Sequence, residues 1–183
     1  MSNPSYIWTY SEYARFPDDG NRYEVIDGEV LVTPAPSPHH QRILFALGRR
    51  LQEYVERNDL GEILLDVDLL FVSGQFVRPD LLFVPKSAKE AVTDRGMERA
   101  PGLIVEIQSP TSSSIDRVRK PRRYGDFGVP EYWVVDPTEA ALLVWRFAAG
   151  EREPNRATDI VHWQPDAGIA PLQIACSDLF RRL

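Results

Sequence analysis

Asp80 and Glu106 each interrupt a run of strand-forming apolar residues, the first in "VRPDLLFV" (77–84) and the second in "LIVEIQS" (103–109). A carboxylate in such a setting costs free energy unless a neighbouring charge favours its ionised form. Side chains along a strand alternate between its two faces. Arg78, Asp80 and Leu82 therefore share one face of the first run, and Ile104, Glu106 and Gln108 share one face of the second. If the two strands are neighbours in register, the carboxylates converge on one point. Joined by the backbone carbonyl of Ile107, they suit Mg2+, with Mn2+ as its substitute, because Mg2+ takes one or two carboxylates and keeps several waters. An ion held there polarises a phosphodiester and lowers the pKa of a bound water. The competing reading makes each carboxylate a structural ion-pair partner of Arg78 or of the arginines that follow. Proline before Asp80 and a basic segment after Glu106 favour a site.

That basic segment, "RVRKPRR" (117–123), holds five cations in seven positions. Arg117, Arg119, Arg122 and Arg123 are candidates for backbone phosphate contacts, which position a nucleic acid without reading its sequence. Lys120 and Tyr124 are four apart and share a helix face. Asp116, four before Lys120, offers that lysine an ordinary exposed pair. Pro121 implies that the helix either kinks beside Lys120 or begins there with proline in its first turn. Asp66 and Asp68 share a strand face, with one expected to serve the site and the other to be exposed. His39, His40 and Gln41 open the long helix without the spacing of a zinc site, so capping or a phosphate contact is expected of them. Trp133 is expected in the core.

The elements that must position these residues are legible from periodicity. Thr9 and Glu12 have capping-box spacing at the start of a short helix. "RYEVIDGEVLVTP" is a hairpin about Asp27-Gly28. In the long helix that begins at the histidines, Ile43, Leu44, Leu47, Leu51, Tyr54 and Val55 form one apolar stripe, with Asn58 and Gly61 as stop signals. "EILLDVDLLFV" and "QFVRPDLLFVP" predict two strands joined at Ser73-Gly74. "KSAKEAVTDRGMERAPG" predicts a short helix and a loop, followed by the strand that carries Glu106. "SSSIDRVRKPRRYGDFG" predicts a helix, with Ser112, Ser113 or Ser114 as its cap. "PEYWVVDP" and "AALLVWRF" are two more strands, and a short terminal helix follows a cap at Ser177. The order is that of an α/β domain with a mixed sheet.

At 183 residues the chain is expected to form a single domain, 1–183. A composition of 43% apolar and 26% charged residues is that of a globular protein. No apolar run approaches the ~20 residues of a membrane span, and no signal-peptide layout is present, so a cytoplasmic location is expected. One cysteine, Cys176, excludes an intrachain disulfide and a multi-cysteine zinc site. A net charge of −6 argues against coating nucleic acid by bulk electrostatics. It leaves room for an enzyme that meets phosphate locally through metal ions.

Pro79-Asp80 followed by Glu106-Ile107-Gln108 resembles the PD-(D/E)XK motif of restriction-endonuclease-like nucleases. With "YEVIDGEVLVTPAPSPHHQRI", "LIVEIQSPTSS" and "KPRRYGDFGVPEYWVVDP", the chain resembles the Uma-two family over roughly residues 10 to 150. The resemblance implies a restriction-endonuclease-like core, a central mixed β-sheet flanked by helices, with Mg2+ as cofactor and DNA as substrate. Asp80 and Glu106 would hold the metal. Gln108 stands where the superfamily pattern has a lysine, and an amide supplies no charge. Lys120, on the following helix, is the implied replacement, and Gln108 would contact water or phosphate. Glu24, in the "YE…DGE" opening, is implied as an accessory site residue. Duplex cleavage needs two cuts, which is the argument for a homodimer. The rival is a catalytically degenerate nucleic-acid-binding or regulatory module on the same fold.

Overall fold

The computed structural model describes residues 6–71, 74–109 and 114–181. Helix α1 (Tyr10–Tyr13) opens with the expected capping box, the Thr9 N–H donating to the Glu12 carboxylate at 2.8 Å. Strands β1 (Arg22–Ile26) and β2 (Glu29–Thr33) pair antiparallel. Asp27 and Gly28 both take positive φ, 57° and 79°. That turn matches the twist of the flanking strands. Helix α2 (Pro38–Arg57) is capped by Ser37, whose hydroxyl accepts the His40 N–H, with Pro38 in the first turn where no N–H is needed. The stripe at Ile43, Leu47, Leu51 and Val55 is fully buried.

The two strands expected after α2 are each broken in two. β3 (Gly61–Leu65) and β4 (Leu69–Phe71) belong to different sheets, as do β5 (Gln75–Val77) and β6 (Leu81–Pro85). The break falls at Asp66, where φ is 55°, and opposite it at Pro79, which has no N–H to pair. The Asp66 N–H reaches the Asp80 carbonyl at 3.3 Å across this corner. Asp80 thus stands at a bend between sheets rather than inside a strand. Ser73 lies outside the described residues, and Gly74 donates its N–H to the Phe71 carbonyl at 3.1 Å.

The segment after β6 forms a 3-10 turn, Lys86–Ala91, and then a small hairpin where a loop was expected, β7 (Val92–Thr93) with β8 (Gly96–Met97). After β9 (Leu103–Ile107) comes a π-type turn, Ile115–Arg119, that leads directly into α3 (Lys120–Phe127). Pro121 sits in the first turn of α3, which starts at Lys120, so the second of the two expectations for it is met. Ser112 and Ser113 lie outside the described residues, and Ser114 makes no side-chain cap bond. The chain continues through β10 (Glu131–Asp136), β11 (Ala141–Arg146), β12 (Asn155–Ala157), β13 (Ile160–Trp163), β14 (Leu172–Ala175) and α4 (Cys176–Phe180). Ser177 is inside α4; Ala175 holds the cap position without a side-chain bond.

The main sheet has the order β12-β11-β10-β9-β6-β3. Its β9–β10 pair is parallel and its other pairs are antiparallel, a mixed sheet as expected. One face packs under α2 through Leu81, Phe83, Leu103, Val105 and Trp133. The other buries Leu82, Ile104, Tyr132 and Val134 against Tyr124 of α3 and Ile26 and Phe71 of the second sheet, ordered β2-β1-β5-β4-β8-β7. Each such side chain contributes ~1.5–3 kcal/mol on burial.

Gly61 starts β3 where the chain returns from α2 to β6. A Cβ there would lie 2.0 Å from the Val84 carbonyl oxygen, at a φ of 150° that L side chains avoid. Gly61→Ala is expected to destabilise the fold by more than ~2 kcal/mol. Urea unfolding followed by circular dichroism checks this, and an unchanged midpoint would contradict the packing.

Candidate active site

β6 and β9 are direct neighbours, with Leu82 opposite Ile104 and Leu81 opposite Val105. One step further along this antiparallel register, Asp80 stands beside Glu106. Both carboxylates are almost fully buried, as are Glu24, Asp116 and Lys120.

Asp80 accepts three donors. Its Oδ2 takes the Ile107 N–H at 2.7 Å and pairs with Nε2 of His40 at 3.0 Å, and its Oδ1 takes Nη1 of Arg22 at 2.8 Å. Burial pushes this carboxyl up, but the His40 hydrogen bond, the Arg22 guanidinium and the Ile107 N–H outweigh it and hold Asp80 at about 2. Arg22 is steadied by Asp66 at 2.8 Å.

Glu106 has the opposite balance. Lys120 Nζ lies 2.8 Å from its Oε1, and the Tyr124 hydroxyl donates to the same oxygen at 3.1 Å. Burial nevertheless raises its pKa, and although Lys120 draws it down, Asp116, Asp80 and Glu24 add to the rise, to about 8. Lys120 also contacts Glu24 Oε2 at 3.1 Å and Asp116 Oδ1 at 3.4 Å. Burial disfavours its charge, but these three carboxylates hold the ammonium well above its ordinary pKa. Both partners are thus shifted upward, and Glu106 is the group that surrenders its charge. Glu24 reaches the cluster because β1 pairs with β5, and its Oε1 accepts the Arg78 N–H at 2.9 Å.

The remaining predicted residues scatter. Gln108 borders the cavity, yet its Oε1 accepts Nε of Arg117 at 2.5 Å. Arg117 also binds Asp136. Arg119 bonds Glu29 at 2.8 Å and the Ile26 carbonyl at 2.9 Å, and Arg123 bonds Asp27 at 2.6 Å, so both grip the β1–β2 hairpin. Arg122 is exposed. Asp66 is the exposed member of its pair; Asp68 is tied to Tyr13 and Arg78. His39 lines the cavity, His40 both sits in the cap of α2 and holds Asp80, and Trp133 is in the core.

A cavity of about 520 Å3 opens over the carboxylates, its lining completed in part by Pro34, Ala35, Pro36 and Pro137. The sequence profile of the Uma2 family, described as "Putative restriction endonuclease", matches residues 10–175. The chain belongs to this family. A crystal structure of a "putative nuclease belonging to DUF820" from Anabaena variabilis superposes with a TM-score of 0.78 at 20% identity, covering 94% of this chain and 97% of that one, and so shares the fold. No curated protein matches the chain. No described helix is long and apolar enough to cross a membrane.

Four contributors to this family member's site, Asp116, Tyr124, Arg22 and His40, are not assigned to it by the sequence. Asp116, Lys120 and Tyr124 recur every four residues, which puts all three on one helix face; only the middle one was assigned a role. Arg22 shares a β1 face with Glu24, a signal that strand alternation offered. His40 gave no signal beyond its type.

The donor set fits a hard divalent ion. Four buried carboxyl groups, Glu24, Asp80, Glu106 and Asp116, face two permanent cations, Arg22 and Lys120, which leaves one negative charge while Glu106 holds its proton and two once a bound cation displaces it. Glu106 Oε2 makes no hydrogen bond to the described residues and belongs to a residue on the cavity wall. Among the described residues no three acidic, histidine or cysteine side chains enclose one point.

Proposed function

We propose that the protein is a Mg2+-dependent endonuclease that hydrolyses DNA phosphodiester bonds. The observation that supports this best is a buried ammonium, Lys120, 2.8 Å from Glu106, itself beside Asp80 across the β6–β9 register. A lysine supplied by α3 there compensates for the amide at Gln108. Asp80, Glu106 and the Ile107 carbonyl would hold the ion, which when bound would polarise the scissile phosphate and lower the pKa of a coordinated water.

The chain's own residues do the positioning. Arg22, His40 and the Ile107 N–H fix the Asp80 carboxylate, and Tyr124 fixes Glu106. Glu24 and Asp116 hold Lys120 in place and keep it charged. Its ammonium orients the attacking water and stabilises negative charge that develops on the phosphate. Water adds to phosphorus and gives up a proton to bulk solvent, the P–O bond to the leaving oxygen breaks, and that oxygen takes up a proton from solvent. Gln108 contacts water or phosphate with its amide N–H group while Arg117 holds its oxygen.

Asp80→Asn and Glu106→Gln are each expected to lower Mn2+ affinity in a calorimetric titration and to cut plasmid cleavage by ~100-fold or more. If both variants bind Mn2+ like the parent, the metal reading is wrong. The second reading is a module that binds nucleic acid without cutting it, favoured by the fact that Asp80 and Glu106 are already paired with Arg22 and Lys120. A parent that binds DNA but cleaves none with Mg2+ or Mn2+ would establish that alternative.

A further inference from the structure

Three depressions run together along the helix that carries Lys120. Gln108 and Thr138 border both the carboxylate cavity and a second depression of about 530 Å3. Arg117 and Val118 border both the second and a third of about 410 Å3. The third collects Arg117, Arg122 and Arg152 against one carboxylate, Glu153, in a chain whose net charge is −6. Arg122 and Arg152 are exposed and form no ion pair with the described residues. Phe147 lines the same depression, and its ring and Nη1 of Arg152 both come within 3.6 Å of where a Cβ on Gly125 would sit. Arginine and aromatic ring are therefore neighbours over α3.

The middle depression is charge-paired, Arg117 with Asp136 and Arg156 with Glu139, and the outer end supplies the cations left free among the described residues. Free guanidinium groups beside an aromatic ring are the chemistry that holds unpaired nucleotides: the cations take the phosphates and a ring face takes a base. A duplex hides its base faces, so a ring in the groove favours single strands only. We infer that this groove carries a single-stranded segment of nucleic acid into the carboxylate cavity, with Arg122 and Arg152 on its phosphates and Phe147 against a base. The inference rests on the nuclease reading for the purpose of the cavity, and it concerns binding alone.

The test is fluorescence anisotropy of labelled oligo(dT), and of the same strand paired with oligo(dA), in chelator so that nothing is cut. The parent is expected to bind the single strand more tightly than the duplex. Arg122→Ala with Arg152→Ala should weaken single-strand binding about tenfold and lower the magnitude of the salt slope by ~1.4, the loss of two phosphate contacts. Phe147→Leu, which keeps the packing volume, should weaken the single strand and leave the duplex unchanged. An unaltered salt slope in the arginine double variant, equal or tighter binding of duplex, or no binding of oligo(dT) at low salt would overturn the groove. Cleavage of DNA by the parent alongside any of those results would leave the nuclease reading standing. Single-strand binding through these arginines in a parent that cleaves nothing would do the reverse.

Discussion

Lys120→Met is expected to remove DNA cleavage, by ~100-fold or more, and to destabilise the fold at the same time. The first effect follows from the loss of a cation beside the reacting phosphate. The second follows from burial. Lys120 is only 3% exposed and has carboxylate oxygens of Glu106, Glu24 and Asp116 within 3.4 Å. Methionine keeps most of the stem but leaves three buried acids facing one another, and removing one partner of a buried ion pair typically costs ~3–5 kcal/mol. A lysine judged from its sequence neighbours would be replaced with no effect on folding; this one would not. Glu106, already held at about 8, is driven further up without the ammonium. Parent and variant both keep the Glu106 proton up to about 8, so the deficit is steady below that value and widens above it, where only the variant still holds the proton. Urea unfolding in chelator at about pH 7 and about pH 9, paired with a plasmid cleavage assay, measures both effects. Undiminished cleavage would remove Lys120 from the mechanism, and an unchanged urea midpoint would contradict its burial among acids.

Glu106→Gln is expected to weaken Mn2+ binding and cut cleavage by ~100-fold or more while stabilising the metal-free protein at high pH. Burial and the neighbouring carboxylates raise Glu106 from an ordinary value of about 4.5 to about 8. Below the lower value both states hold the proton and Glu106 imposes no cost. Between the two values the folded state binds more protons than the unfolded one, so stability falls as pH rises, and above about 8 the loss is complete. Glutamine does not titrate. In chelator the variant should match the parent near ~pH 5 and exceed it near ~pH 9. Mn2+ should then restore the parent, since a ligand that binds only the folded state stabilises it, and leave the variant unmoved. A parent whose stability is flat across this range, or a variant that gains equally from Mn2+, would show that Glu106 is neither strained nor a ligand. Asp80 has the opposite dependence: held at about 2 chiefly by His40 and Arg22 against its burial, it stabilises the fold above the ordinary aspartate range, and that contribution is lost as pH falls towards about 2.

The basic stretch at 117–123 shows where reading along a chain misleads. As composition it is one cationic patch. A helix advances about 100° per residue, so adjacent cations point in different directions. Lys120 turns inward to the carboxylates, Arg119 and Arg123 turn to the β1–β2 hairpin, and Arg117 and Arg122 border the groove on the other side. Which direction each takes depends on what packs against the helix, and the packed elements come from elsewhere in the sequence. The same holds for the split strands. Periodicity assigned Asp80 to the face it occupies, yet Pro79 and the positive φ of Asp66 end the ladder there and place the carboxylate at a corner between sheets.

Local physics was enough for the elements that rest on near neighbours: the Thr9–Glu12 capping box, the Asp27-Gly28 turn, the buried stripe of α2 and the alternation that sets Glu106 and Ile104 on one face. Those features depend on interactions a few residues apart, and a sequence states such spacings outright. The electrostatics of the site depend on other pairs. Arg22 reaches Asp80 across 58 residues and His40 reaches it across 40, and only the tertiary fold decides that these cross while Gln108 turns to Arg117. A charge buried among partners so distant in sequence has its pKa set by burial and by which acids share its cavity, and both are properties of the packed molecule rather than of the chain.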